Sequence, residues 1–515
     1  MKLFTALLAV TLLPFIPLHA EASNVEDELV VGIQSTKTQA IRPLEPLERD
    51  FMSIYDLMYD GLMVIGDDYT PEYALAESYT HSGKTWTFRL RDDLYFSDGS
   101  RVTAADVVAT AQWILNKAQS ESSADKGYYF NLDYFVDKIS AKGEQVVEVR
   151  ASRNYYGLLY AMTFPVVPAW ALEMDNPPGT GAYVAESFSP GNTLLLTPNE
   201  HWWQTPPQVK SILFVMHEKP SDVIESYEYA RVDTVFTRAI ASAQYKSGTS
   251  SLALDYRTNQ LECLLMNHSA FPTNNKSVRE AIRYLIDVDY IAQQIYMGMV
   301  ERTDTPFVNG TWMYNESVSS YFKTDPEKAM ALLDAEGWAD TNDDGLLDRP
   351  NDEGESVTLK MTIYVYEEPD NDVRVETANY IADTLNSYGF NVSVSTMSFA
   401  QVQQRLSAGN FTLTLASYAM DVCPDAGFML ISGNTGNYCR YRSSAMTELC
   451  QDLRTQLDQT SYQQKLYEIQ TQFAQDCPFI CMFYRSGTVL TRRMYTVTRD
   501  VRELELLKGI ESFRN

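Results

Sequence analysis

Trp86-Thr87-Phe88-Arg89-Leu90-Arg91, then Phe96-Ser97-Asp98-Gly99, then Thr103-Ala104-Ala105-Asp106-Val107 is the stretch on which the reading of this chain turns. Apolar Trp86, Phe88 and Leu90 alternate with polar Thr87 and Arg89, the two-residue period of a strand with one buried face, so 85–90 is predicted as a strand. Asp98-Gly99 supplies a turn. Thr103 is a helix cap with Asp106 in capping-box position. The helix that follows puts Val107, Val108, Ala111, Ile114 and Leu115 on one side.

The same grammar recurs along the chain. Glu28 to Ile33 reads as a short strand. A second helix is predicted to open at Ser277, with Glu280 closing its box and Ala281, Ile282, Leu285 and Ile286 on its apolar face. A third begins with Asp325 as cap and Pro326 in the first turn and stops at Gly337. A fourth runs from Val373 to Tyr388, ends at Gly389, and feeds an alternating strand from Phe390 to Ser395. Strands and helices that alternate in this way build an α/β fold. Asp340 to Glu355 is the one linker-like segment. Its Asp340, Asn342, Asp344 and Asp348 resemble the start of a calcium loop, but Asn351 stands where the bidentate Glu would be needed.

A chain of 515 residues has room for roughly three domains and large cores. Its net charge of −27 repels polyanions, which argues against nucleic acid and anionic membranes as partners. Met1-Lys2, an apolar run from Leu3 to Leu18 and an Ala20-Glu21-Ala22 end form the pattern of a secretory signal over residues 1–22. The run is interrupted by Pro14 and Pro17 and is shorter than the roughly 20 residues a spanning helix needs. It holds no cysteine to carry a lipid. The expectation is an exported, periplasmic or otherwise extracytoplasmic protein without a lipid anchor. Six cysteines, five of them between 423 and 481, permit disulfides in such a compartment, with the connectivity left open.

The opening stretch resembles the signature of the large peptide- and nickel-binding proteins of ABC importers, extracytoplasmic solute-binding proteins of family 5. Further blocks follow in that family's order: Gly179-Thr180-Gly181-Ala182-Tyr183, Leu194 to Thr197, Asn199 to Trp203, Ala230 to Asp233, Val278-Arg279 with Ala281-Ile282 and Asp287, and Asp325 to Trp338. The resemblance implies a two-lobed clamshell joined by two hinge strands. Lobe I would take 23–257 and 482–515, with an inserted subdomain at about 53–175, and lobe II would take 258–481. Leu261 to Met266 and Cys481 to Tyr484 would be the hinge strands.

What the resemblance implies about the ligand rests on Ser417 to Asp425. There Asp421 falls at the position that pairs with a peptide's α-ammonium, and Tyr418 replaces the family's usual tryptophan as a wall. The family's Asp-Pro step is altered to Cys423-Pro424-Asp425. Arg374 and Arg440 are the candidates for a ligand carboxylate, and Trp312 for the cleft border. Cys423 and Cys439 flank the loop and are expected to bridge it, with Cys477 and Cys481 as rival partners. The implied function is capture of di- or oligopeptides by lobe closure and delivery to permease subunits, by a monomer with no cofactor, no metal and no catalytic residue. The same fold could carry nickel chelate, an oligosaccharide or another small solute. An exported serine hydrolase is the remote alternative, since Ser123 to Lys126 spells S-x-x-K, but no G-x-S-x-G elbow or HExxH pair exists.

Overall fold

The computed structural model describes residues 28–45, 48–120, 129, 132–238, 240–247, 252–351, 353–368, 371–492, 501–503, 505–507 and 509. The expected signal at 1–22 and the S-x-x-K stretch lie outside them. Thr85–Leu90 is a strand, and it pairs on both sides inside a four-stranded antiparallel sheet with Ala76–Ser82 and Val146–Ala151. Trp86, Phe88 and Leu90 are buried as their spacing requires. The Ala104–Ser120 helix follows the turn. Its start is held by Asp106, whose Oδ2 accepts from the Thr103 N–H at 2.9 Å and from the Thr103 hydroxyl at 2.7 Å. That is only the acidic half of a capping box.

A larger sheet carries the rest. Its strands in chain order are β1 (Glu28–Gln34), β2 (Tyr183–Ser189), β3 (Thr193–Pro198), β4 (Ser211–His217), β5 (Thr234–Thr237), β6 (Leu252–Met266), β7 (Val300–Arg302), β8 (Lys360–Tyr366), β9 (Asn391–Met397), β10 (Leu413–Ala419) and β11 (Phe479–Thr491). Across the sheet they lie in the order β9-β8-β10-β6-β11-β5-β1-β4-β3-β2, with β7 also on β11. Parallel β8–β9 is joined by the Val373–Ser387 helix, the βαβ unit expected from alternation. The two long strands β6 and β11 are common to both lobes. At one end β11 pairs with β5, and at the other β6 pairs with β10. Their mutual register is broken between Arg257 and Leu261, so the sheet bends at Thr258-Asn259-Gln260.

The helix expected from Ser277 is in fact Lys276–Leu285, capped by the Asn275 side chain accepting from Val278 N at 3.2 Å. Ser277 sits inside the first turn and donates to Glu336 Oε1 at 2.9 Å, so a distant carboxylate claims the hydroxyl. Asp325 and Pro326 open their helix as expected, and Gly337 and Gly389 both follow helix ends with positive φ.

Lobe II stacks helices against this sheet. Ala281, Ile282, Ile381 and Leu385 pack on Leu264, Met266, Ile363 and Ile480 from one side. His268 lies just beyond β6, with its Nε2 2.9 Å from the Pro478 carbonyl. Burial, reinforced by nearby Arg279, pushes its imidazole down to about 4 from 6.5. Between those values the unfolded chain holds the extra proton, so stability falls as pH drops through this window and is regained above 6.5. Lowering the pH from 7 to 4.5 should cost His268→Gln about 2 kcal/mol less than the parent in urea unfolding. Identical pH profiles would refute the assignment.

Candidate functional site

A cavity of about 60 Å³ lies where the two lobes meet. Tyr69, Arg502 and Glu503 line one side of it. Arg257, Thr258 and Asn259 come from the bend in β6, and Met420 to Asp425 from the loop that leaves β10. Phe307, Val308 and Met313 close the apolar side. The lobes touch beside it: Tyr156 N donates to Gln456 O at 2.7 Å, and the Tyr155 hydroxyl donates to Asp425 Oδ2 at 3.2 Å. The Tyr155 and Tyr462 rings stack at 6.1 Å.

The loop after β10 is held from below. Arg454 grips Asp425 with two bonds, Nε to Oδ2 at 2.7 Å and Nη2 to Oδ1 at 3.0 Å. The Tyr462 hydroxyl donates to the Pro424 carbonyl at 3.1 Å. Asp421 is exposed at the cavity wall, and its Oδ1 accepts from Cys423 N at 3.1 Å, which orients the carboxylate. A loop fixed in this way can meet a cationic group with little loss of its own freedom.

The wall that adjoins the loop at Asn259, whose carbonyl accepts from Met420 N at 2.8 Å, is charged but internally matched. Arg257 donates to Glu301 through Nε at 2.6 Å and through Nη2, and to the Tyr69 hydroxyl at 2.7 Å. Arg502 bonds Glu505 and the Ile65 and Gly66 carbonyls, and its guanidinium lies 4.7 Å over the Tyr69 ring. Glu503 accepts from Asn259 N at 2.7 Å and from Arg238 at 3.0 Å. The Asn259 Oδ1 atom is buried and meets no hydrogen-bond donor among the described residues. None of these side chains was singled out from sequence. The one local signal was the polar run Arg257-Thr258-Asn259-Gln260 in the middle of an apolar strand.

The other expected site residues lie away from this wall. Tyr418 is buried beneath the loop, donates to Gly436 O at 2.8 Å and stacks on Tyr438. Trp312 packs edge-on to Tyr156 and near Tyr462, on the lobe contact rather than in the cavity lining. Arg440 takes a positive φ of 58° and donates to Ser407 O at 2.6 Å. Arg374 is 1% exposed and bonds Glu262 at 2.7 Å and Glu368 at 3.0 Å through Nη2; its Nη1 is buried without a hydrogen-bond partner among the described residues, so burial and not saturation keeps it from a ligand carboxylate. The Cys423–Cys439 bridge is not made. Both are buried free thiols in different surroundings, Cys423 near the Tyr462 hydroxyl and Cys439 near the Met266 backbone. Burial pushes the Cys439 thiol up to about 12.

Comparison with known proteins agrees with this architecture. The chain is 24% identical over 512 residues to the probable D,D-dipeptide-binding periplasmic protein of Escherichia coli K12, covering 93% of this chain and 92% of that one. A putative peptide-binding protein from Clostridium difficile superposes with a TM-score of 0.77 at 17% identity, over 95% of this chain and 99% of that one. A nickel ABC transporter protein from Bacillus halodurans gives 0.78 at 18% identity, over 93% and 98%. No helix among the described residues is long and apolar enough to cross a membrane. The profile of the bacterial extracellular solute-binding proteins of family 5 matches residues 70–438, and the chain belongs to that family.

Proposed function

We propose that this protein captures short peptides carrying a free α-ammonium group between its lobes and delivers them to the membrane subunits of an ABC importer. The observation that carries the reading is the oriented Asp421 carboxylate in the cavity wall, beside Met420 and Val422 and next to the bend in β6, whose Asn259 carbonyl accepts from Met420 N at 2.8 Å. A carboxylate facing an ammonium away from bulk water makes a charge-assisted bond stronger than either group makes in solvent. The dipeptide-binding name of the Escherichia coli relative points the same way. We take 23–257 with 482–515 and 258–481 as the two lobes, supported by the register break between Arg257 and Leu261. Residues 1–22 act as the export signal in this reading. The protein changes no covalent bond of its ligand. Contacts from both lobes favour the closed form, and closure is what the importer recognises.

The test is a thermal-shift series with di- to tetrapeptides, their N-acetylated forms, a nickel–histidine chelate and an oligosaccharide. A specific ligand at one hundred times its dissociation constant stabilises the fold by about 2.7 kcal/mol, enough to be read as a shift. Free-amine peptides should raise the melting temperature, while the acetylated forms should not. A shift with the chelate or the sugar and none with peptides would overturn the peptide reading and leave the family assignment standing.

A further inference from the structure

Among six buried thiols, two face each other across the strands that join the lobes. Cys263 on β6 and Cys481 on β11 are register partners in the antiparallel ladder, the first pair after a second register shift between Glu262 and Cys263 and in regular register with Leu264–Ile480 and Leu265–Phe479. Directly opposed residues in such a ladder have Cα atoms about 4.5–5.5 Å apart, inside the range of about 4.4–6.8 Å that a disulfide spans. Their side chains leave the sheet on the same face. Both pack in the cluster that holds Leu265, Phe473 and Phe479, whereas neighbouring Leu264, Ile480 and Met482 pack on the other face. The two thiols lie close enough to perturb one another, and Cys263 Sγ also reaches the Leu261 carbonyl at 4.0 Å. Three other cysteines are engaged elsewhere: Cys423 with the Tyr462 hydroxyl, Cys439 with the Met266 backbone and Cys477 with the Arg279 carbonyl at 3.7 Å. Cys450 lies on the 444–453 helix near Asp425.

We propose that Cys263 and Cys481 are joined in the exported protein by a cross-strand disulfide. The bond forms by thiol–disulfide exchange with a disulfide oxidant of the oxidising compartment. One thiolate attacks the oxidant to give a mixed disulfide, and the second thiolate displaces the oxidant's remaining thiol. Two S–H bonds become one S–S bond, and the oxidant leaves as two thiols carrying the two electrons and two protons. Both cysteines are 2% exposed or less, so exchange takes place while the sheet is assembling. The inference rests on export, not on the identity of the ligand.

Position determines what the bond does. It lies on the lobe II side of the bend at Thr258-Asn259-Gln260, and it closes residues 263–481 into one covalent loop that is nearly the whole of lobe II. Restricting so long a loop destabilises the unfolded chain. The bend lies outside the loop, and β6 and β11 are already paired at Cys263, so lobe closure is left unhindered. The bond therefore stabilises lobe II without altering ligand affinity.

The test is peptide mapping of full-length protein secreted into an oxidising compartment, alkylated before digestion and analysed without reductant. The Cys263 and Cys481 peptides should appear joined, and should separate on reduction. Free alkylated thiols at both positions, or either cysteine joined to Cys439 or Cys477, would overturn the proposal. The C263A/C481A variant should melt about 5–10 °C below the linked protein, with affinity for a stabilising peptide within twofold. Mapping needs only the parent chain, so it decides the question even if the variant folds poorly. A linked protein that melts no higher than its reduced form would refute the stabilising role.

Discussion

Arg374→Met lowers the unfolding free energy of lobe II by about 3–5 kcal/mol, the usual cost of removing one partner from a buried ion network. The guanidinium lies between two carboxylates: Nη2 is 2.7 Å from Glu262 Oε1 and 3.0 Å from Glu368 Oε1. Arg485 holds the same pair from the other side, at 3.1 Å to Glu262 and 2.9 Å to Glu368. The four charges balance, and Glu262 and Arg374 are each 1% exposed. Burial works to raise the Glu368 carboxyl, but Arg374 and Arg485 outweigh it and hold the group below its ordinary value. Removing Arg374 leaves two carboxylates on one guanidinium, with Glu262 buried and Glu368 only 16% exposed at its side chain. Glu262→Gln in the same chain restores the balance, so the double variant should recover part of the loss. Urea unfolding of the two singles and the double measures the coupling. Strict additivity would mean that the network carries no pairwise energy.

This network also shows where sequence reading stops. Arg374 lies in the first turn of the Val373–Ser387 helix, and the helix itself was legible, with Gly389 marking its end. The arginine's partner Glu262 is 112 residues away on β6, and Arg485 is about as distant in the other direction on β11, so their meeting is a product of topology. An arginine at a helix start therefore looked available for a ligand when it was already spoken for. The Cys423–Cys439 expectation failed for the same reason, because chain proximity around a loop does not set the direction of a thiol. By contrast, Thr85–Leu90, Asp325-Pro326 and Gly389 were read correctly because their signals are local: alternation, a cap and a positive φ after a helix. The cavity's charged wall was invisible because Tyr69, Arg257 and Arg502 are brought together from three distant segments. Asp421 could be singled out because the resemblance to the family carried it, not because an aspartate in a loop is informative.

Asp421→Asn weakens binding of a free-amine peptide by about 30- to 1000-fold, or about 2–4 kcal/mol, the loss seen when one member of a desolvated charge pair is neutralised. Asparagine keeps the volume and can keep an oxygen toward Cys423 N, so the loop retains the bond now made at 3.1 Å. Asp425, Arg454 and Tyr462, which hold the loop from beneath, are untouched. What changes is the charge that meets the ammonium. The decisive control is the ligand. An N-acetylated peptide offers no ammonium, so its weaker binding should be the same for parent and variant. Titration calorimetry of both peptides against both proteins closes the cycle. If the free-amine peptide binds parent and variant alike, the ammonium is recognised elsewhere on the cavity wall. The buried Asn259 Oδ1, the acceptor on the bend of β6 without a donor among the described residues, would then be the next group to change.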